Sequence, residues 1–400
     1  MRTMTTRPEN RHQVRLLRLL RDEGPISRAE LAEAVALSRS KLAVELDRLT
    51  ELGLVESAGQ AASRGGRRAA IMKLGSGLRF VGIDIGATSV DVAITDGELK
   101  VVSRAGEPAD VRQGPDVVLG IALDLLAKLR AEGSAVDIHG VGVGVPGPVS
   151  FKDGIPVAPP IMPGWDGYQV RSVLSQHLGA PVLVDNDVNI MALGEMHAGL
   201  SRTVDDFMFV KVGTGVGCGI VVDGSVYRGQ SGSAGDIGHI RVEDDGPVCV
   251  CGNVGCLESL FSGAALAREA RAAARSGRSE FLRARLEQAG DVTAADVSEA
   301  ASSADPVAIE LVRTGGRRLG AVLAGLVNFF NPGLIAIGGE VAAGLGHPFL
   351  AEVRSVVYRR SLPLATGNLP IVLSEMGRDA GVVGAARMIS DSVFTIPDSA

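Results

Sequence analysis

The 400-residue sequence predicts an α/β protein in which a small, mainly helical head precedes a body of two related lobes. Three observations predict it. First, charge is split along the chain: residues 1–73 carry 14 Lys and Arg against nine Asp and Glu, a net of +5, whereas the remainder carries 26 against 37, a net of −11. All 14 aromatic residues lie at or beyond Phe80. Second, Phe80–Gly97 and Phe207–Gly224 share one layout of apolar strand, Gly/Thr turn, strand and Asp-Gly turn. Aligning Gly86 with Gly213, an offset of 127, also aligns Asp96-Gly97 with Asp223-Gly224. Third, helical and strand patterns alternate downstream, the signature of α/β layers.

Composition excludes several classes. At 46% hydrophobic and 22% charged, the chain has the balance of a folded protein, with length for two to four domains. No run of 18 residues is free of charge or glycine, which argues against a membrane span. The first 24 residues hold no apolar signal core, so a cytoplasmic location is expected. Four cysteines are too few for a disulfide scaffold. The overall charge of −6 conceals the basic head, and such an asymmetry points to an attached nucleic-acid module.

The head reads in order as three helices and a hairpin. Residues 11–22 place Val14, Leu17 and Leu20 on one face, widened by Leu16 and Leu19, and Gly24-Pro25 ends that helix. Ser27 and Glu30 form a capping box for a short helix that turns Leu31, Ala34 and Val35 inward. Ser38 caps a third helix with Leu42, Leu46, Leu49 and Leu52 buried, closed by Gly53. Residues 54–56 and 70–74 then read as strands around an Arg/Gly tip, Ser63–Arg68. This is a winged helix-turn-helix pattern. Its third helix would enter the major groove, with Ser38, Arg39, Ser40, Lys41 and Glu45 near bases or phosphates. The tip, Arg64, Gly65, Gly66, Arg67 and Arg68, could follow phosphates or enter a narrow minor groove. Winged helices also dock proteins, and that alternative stays open.

In the body, 116–132, 171–178, 187–200, 263–286 and 306–330 read as helices. Strands are expected near 140–145, 181–185, 334–338 and 370–374. The paired Gly-rich turns could hold a nucleotide's phosphates from both sides through backbone N–H groups. Residues 181–185 form an apolar strand that ends in Asp185-Asn186-Asp187, at the strand end where α/β folds bind ligands. Asn186 could bond sugar hydroxyls, and Asp187 could accept a hydroxyl proton in phosphoryl transfer. The same residues would also suit a helix N-cap.

His239, Cys249, Cys251 and Cys256 make a Cys3His set, the composition of a closed structural zinc site, with a redox cluster as the alternative. Gly252 and Gly255 allow the tight turns. Cys218, inside a Gly loop, reads as a small packed residue. A bound metal would pin the loop that carries Asp236, His239 and Glu258 beside a pocket, without an open position for water activation.

These motifs resemble the ROK family (repressors, open reading frames and sugar kinases) over essentially the whole chain. Asp84-Ile-Gly86-Ala-Thr88 matches its D-x-G-x-T phosphate motif, and Gly213-Thr214-Gly215-Val-Gly217 its second phosphate loop. Asn331–Gly339, ending in Gly338-Gly339, resembles the segment near the adenosine. The most specific mark is Cys-x-Cys-Gly-x-x-Gly-Cys-x-Glu with an upstream Gly-His. The resemblance implies a two-lobed, actin-like ATPase fold behind a winged helix-turn-helix, a structural Zn2+, and ATP with Mg2+ in the cleft. It implies a sugar site of Asn186, Asp187, Asp236, His239 and Glu258, with Asp187 as catalytic base. Implied domains are a DNA-binding head 1–77, a small lobe 78–190 completed by the helix 381–391, and a large lobe 191–380.

The chain departs from the family pattern at three places. Asp236 replaces the Glu of E-x-G-H, Ser89 stands where kinases often carry Lys, and no Asn precedes Pro163-Gly164-Trp165. The resemblance implies a sugar-responsive transcriptional regulator, a repressor by expectation, on operator DNA as a homodimer or homotetramer. A sugar or sugar phosphate in the cleft would alter operator binding. An ATP-dependent sugar kinase fused to a DNA-binding head is the alternative.

Overall fold

The computed structural model describes residues 7–60, 70–133 and 137–396. In the head, α1 (Arg11–Glu23) starts at Asn10, whose side chain accepts the N–H groups of His12 and Gln13. Strand β1 (Ile26–Ser27) leads into α2 (Arg28–Ala34), where Ser27 and Glu30 form the expected capping box. Helix α3 (Arg39–Glu51) is capped by Ser38, whose hydroxyl accepts from the Lys41 N–H. Strands β2 (Val55–Gln60) and β3 (Ala70–Leu74) pair antiparallel, with β1 on the far side of β3. The three helices and the wing strands therefore form as predicted.

Burial differs in detail from the sequence pattern. Leu16, Leu17, Leu20, Leu31, Leu42, Leu46 and Leu49 form the head's core, but Val14, Leu19 and Leu52 are half-buried and Ala34 is exposed. Helix α2 is only two turns long, so its last residue turns away from the core. Arg64, Gly65, Gly66, Arg67 and Arg68 lie outside the described residues.

The body contains two five-stranded sheets. The first comprises β4 (Phe80–Ile85), β5 (Ser89–Thr95), β6 (Val101–Pro108), β7 (Gly140–Val145) and, after the small hairpin β8 (Val149–Ser150) and β9 (Ile155–Pro156), β10 (Val182–Asn186). The second comprises β11 (Phe207–Val212), β12 (Val216–Val222), β13 (Ser225–Val226), β14 (Leu334–Gly338) and β15 (Ile371–Leu373). Their orders are β10-β7-β4-β5-β6 and β13-β12-β11-β14-β15. In each, the first strand runs antiparallel to the second and parallel to the fourth, so the repeat read from two turns extends over both sheets.

Helices α4 (Pro115–Ala131) and α5 (Val170–Leu178) cover the first sheet, and α6 (Asp187–Ala198) follows β10. After β13 come α7 (Leu257–Leu260), α8 (Gly263–Arg275), α9 (Glu280–Ala289), α10 (Ala294–Ser302) and α11 (Pro306–Phe330). Then α12 (Glu340–Arg360), α13 (Pro363–Thr366) and α14 (Asp379–Val393) complete the fold. The single helix expected over 263–286 is broken: Gly277 takes φ +70° and Ser279 caps a new helix. Helices α10 and α12 were not expected. Gly344, Gly346 and Pro348 obscure the second, which bends at Gly346 with φ +63°.

Two helices, α6 and α14, run side by side through the middle of the molecule. Their backbones touch at glycines: an added Cβ at Gly194 would lie 2.0 Å from the Ala380 carbonyl oxygen, and one at Gly384 1.6 Å from that of Ile190. Helix α14 also seals the head. Ala386, Ile389, Val393 and Phe394 share one apolar cluster with Leu16, Leu17, Leu20 and Leu31. No helix among the described residues is long and apolar enough to cross a membrane.

Candidate functional site

The turns after β4, β10, β11 and β14 face one cleft, because each follows the carboxyl end of a sheet strand. Two adjoining cavities occupy it. The larger, about 580 Å3, is lined by Gly86, Thr88, Gly213, Thr214, Gly338 and Gly339, together with Asp84. Both Gly-rich turns and the β14 segment thus meet at one space, of a size that suits a nucleotide. The smaller, about 120 Å3, is lined by Asn186, Asp187, Gly215, Asp236, His239 and Glu258. All five residues expected at a sugar site are therefore neighbours, although Asn186 and Glu258 are 72 positions apart. Ala87, Lys211 and Thr214 line both cavities and mark their junction.

Each side chain has a local reason for its place. Asn186 is the N-cap of α6: its Oδ1 accepts the Val188 N–H at 2.9 Å and its Nδ2 donates to the Gly147 carbonyl at 2.7 Å. Capping and lining coexist, leaving one amide N–H for a ligand. Glu258 Oε2 accepts the Val216 N–H at 2.9 Å, which ties α7 to the second Gly-rich turn. Burial raises the Asp236 carboxyl above its usual range, aided by the charges of Glu258 and Asp187 and opposed by His239.

Asp84 is pushed up to about 7, first by burial and then by Asp187 and Asp91, with Lys211 opposing. Its Oδ1 is buried without a hydrogen-bond partner. Gly381 of α14 packs against it so closely that an added Cβ would lie 1.9 Å from Oδ2.

Sequence reasoning missed two cations here. Lys211, in the middle of β11, bonds Asp187 Oδ2 at 2.5 Å. Arg228 pairs with the buried Asp185 at 2.7 Å and lies 4.0 Å over the Phe151 ring, which pins the chain after β13 against the end of β10. The available signal was a lone lysine inside the apolar strand Phe-Val-Lys-Val, since a buried cation needs a partner.

His239, Cys249, Cys251 and Cys256 converge, with one ligand atom from each all within 4.8 Å of the others. Cys251 and Cys256 sulfurs are 3.8 Å apart, and Cys249 Sγ lies 3.6 Å from His239 Nδ1. A tetrahedral ion with ~2.3 Å metal–sulfur bonds has sulfur–sulfur edges of about 3.8 Å, so the set fits a tetrahedral metal. Cys218 is fully buried and its thiol is pushed up to about 12 by burial, the state of an unreactive packed side chain.

On the head, Ser38, Arg39, Ser40 and Lys41 are all exposed at the N-terminus of α3. Glu45 is not free for bases: its Oε2 accepts from Asn10 and Gln13 on α1, both at 2.9 Å. It fixes the angle between the two helices. Val44, 67% exposed on the same face as Ser40 and Lys41, went unnoticed in the sequence.

The comparisons with known proteins agree with this architecture. The ROK family profile matches residues 80–392, and a winged helix-turn-helix DNA-binding profile matches residues 9–56. The xylose repressor of Caldicellulosiruptor bescii is 29% identical over 388 residues, which is 96% of each chain. A solved ROK family transcriptional regulator, described as a homolog of the E. coli MLC protein, superposes with a TM-score of 0.80 at 27% identity over 96% of both chains. A ROK family glucokinase from Streptomyces griseus, solved with glucose and AMPPNP, gives 0.70 at 31% identity, covering 78% of this chain and 98% of its own. The regulator spans head and body alike. The chain belongs to the ROK family, as a member that carries an N-terminal winged helix-turn-helix DNA-binding domain.

Proposed function

We propose that the protein is a sugar-responsive transcriptional regulator, a repressor by its likeness to the xylose repressor, which binds operator DNA through α3 and the wing. Asn186, Asp187, Asp236, His239 and Glu258 would hold the sugar in the small cavity. Arg39, Ser40 and Lys41 would meet bases and phosphates, and Val44 could pack on a thymine methyl group. His239, Cys249, Cys251 and Cys256 would hold a structural Zn2+, which would supply rigidity to the loop beside the sugar.

One observation carries the proposal: α6 and α14 each begin at the cleft and end at the head. Helix α6 starts with Asp187 and, 10 residues later (~15 Å at 1.5 Å per residue), presents His197 to the head. His197 Nδ1 accepts from Arg387 Nη1 at 3.1 Å and lies 3.7 Å from Asp22 Oδ1 of α1. Helix α14 starts beside Asp84 and ends with Arg387 and Asp391. Arg387 donates to Asp22 at 2.9 Å, and Asp391 accepts from Arg21 at 2.7 Å. Because α6 and α14 touch through Gly194 and Gly384, they would move as one body. A sugar that draws Asn186 and Asp187 toward Asp236 and Glu258 would shift both rods against α1 and so reorient α3. Such coupling requires a ligand whose affinity differs between the two orientations.

Palindromic operator recognition further needs two heads. We place self-association on the end of the large lobe, where Phe329 (89% exposed), Leu362 and Leu364 (97% exposed) group around the Asn328–Leu362 hydrogen bond. A duplex selected by the protein from a random pool provides the test. Its affinity, measured by fluorescence anisotropy across a panel of pentoses, hexoses, amino sugars and their phosphates, should fall at least about fivefold with one of them. Affinity that no sugar changes would reject the proposal.

A further inference from the structure

Lys211 lies where neither an apolar strand nor a phosphoryl-transfer site accounts for it. Its neighbours Val210 and Val212 are fully buried, and its own side chain is 22% exposed, opening at the junction of the two cavities. The ammonium group bonds Asp187 Oδ2 at 2.5 Å and is also attracted by the Asp84 charge. Asp84 and Asp187 face this junction, one beside the start of each central helix.

Phosphoryl transfer needs a carboxylate free to accept the attacking hydroxyl's proton, and a divalent cation to neutralise the transferring group. Lys211 opposes both. The ammonium occupies Asp187 Oδ2 at 2.5 Å, the carboxylate oxygen that an attacking sugar hydroxyl would otherwise meet. It also places a fixed positive charge between Asp84 and Asp187 at the cavity junction, at a point where a second cation would be repelled in a low-dielectric setting. The residues present therefore do not fit Mg2+ at this junction.

We propose that Lys211 is a tethered cation that takes the place of a divalent metal between the two cavities, so that the cleft holds an unmodified sugar without phosphorylating it. The inference rests on the sugar reading of the small cavity and adds what becomes of the ligand: it is sensed and released intact. A receptor that consumed its ligand would erase its own signal, and one lysine suffices to prevent this.

The test compares the wild-type chain with Lys211→Met, Lys211→Thr and the double variant Lys211→Met/Asp84→Asn. Mn2+ binding is read by electron paramagnetic resonance, and sugar-dependent ADP release from Mg-ATP by a coupled assay over the sugar panel. The wild-type chain should bind no Mn2+ in the cleft and release no ADP. Either single variant should bind Mn2+ at least tenfold more tightly than the wild type, and Asp84→Asn should abolish that gain. Wild-type Mn2+ binding as tight as that of the variants, or sugar-dependent ADP release by the wild type, overturns the proposal, and both are read on wild type even if the variants fail to fold. An absence of gain in folded Lys211→Met and Lys211→Thr also overturns it. Failure of the sugar reading would show separately, as the lack of any sugar-induced thermal shift in the wild type.

Discussion

Arg21→Leu should destabilise the junction between head and body by about 3–5 kcal/mol, because it removes one partner from a buried ion network. The Arg21 side chain has no exposed surface. Its guanidinium bonds Asp22 at 2.8 Å, Asp391 at 2.7 Å and Ser390 at 3.2 Å, and lies 6.0 Å from the centroid of the Phe394 ring. With Arg387 the four charges alternate as two guanidinium groups and two carboxylates. Deleting Arg21 leaves the two carboxylates to Arg387, with only the more exposed Arg18 3.9 Å from Asp391, in an apolar surround of Leu17, Leu20 and Ile389. Hydrogen exchange reads the outcome: amides of α1 should lose protection, whereas those of β11 should not. Unchanged α1 protection would show that the apolar contacts alone hold the head.

Acid should loosen the same junction. Burial would raise the Asp22 carboxyl, but its bonds to Arg21 and Arg387, with His197 close by, hold it well below the usual range; Arg21 and Arg387 do the same for Asp391. Lowered carboxyls stabilise the folded state above their unfolded values, near ~4, and that stability drains as pH falls through the lower folded values. From about pH 6 to 8 these two carboxylates should leave the head's docking unaltered.

Cys256→Ser should have a comparably large effect. The wild-type chain should carry one zinc ion, released on denaturation to a chromophoric chelator, and the variant none. Structural zinc supplies ~10–16 kcal/mol in isolated fingers; even a loss of several kcal/mol here would lower the melting midpoint by about 10 °C, at ~2–4 °C per kcal/mol. Sugar binding should vanish with the metal, since His239 is itself in the ligand set and Glu258 stands two residues after Cys256. DNA binding by the head should persist. A variant that melts like the wild type, or a wild-type chain without zinc, would contradict the assignment.

Local chemistry made much of this molecule legible in the sequence. The capping box of Ser27 and Glu30, the Ser38 cap and the Cys3His spacing each act within a few residues, so their patterns survive without knowledge of the fold. The repeat of Gly86 and Gly213 was legible because symmetry copies a local motif. What escaped was set by distant partners. Arg21 and Asp391 are 370 positions apart, and nothing near Arg21 distinguishes it from a solvated arginine. Lys211 escaped because its partner Asp187 starts the helix that follows the other sheet's last strand. Glu45 looked like a DNA-facing acid because the α1 amides that hold it are 32 and 35 positions away. Helix α12 was hidden by Gly346 and Pro348, whose kink the apolar contacts of Leu345, Phe349 and Leu350 outweigh.

Regulation by sugar requires α6 and α14 to carry a signal between cleft and head. Coupling is reciprocal: if the effector sugar weakens operator binding by some factor, operator must weaken sugar binding by the same factor. The decisive measurement is therefore sugar affinity by calorimetry, with and without saturating operator, in the wild type and in His197→Ala. Coupling through the two helices should give equal factors of about five or more in the wild type, and a factor near one in His197→Ala with sugar and operator each still bound. A His197→Ala chain whose two sites remain fully coupled would contradict it.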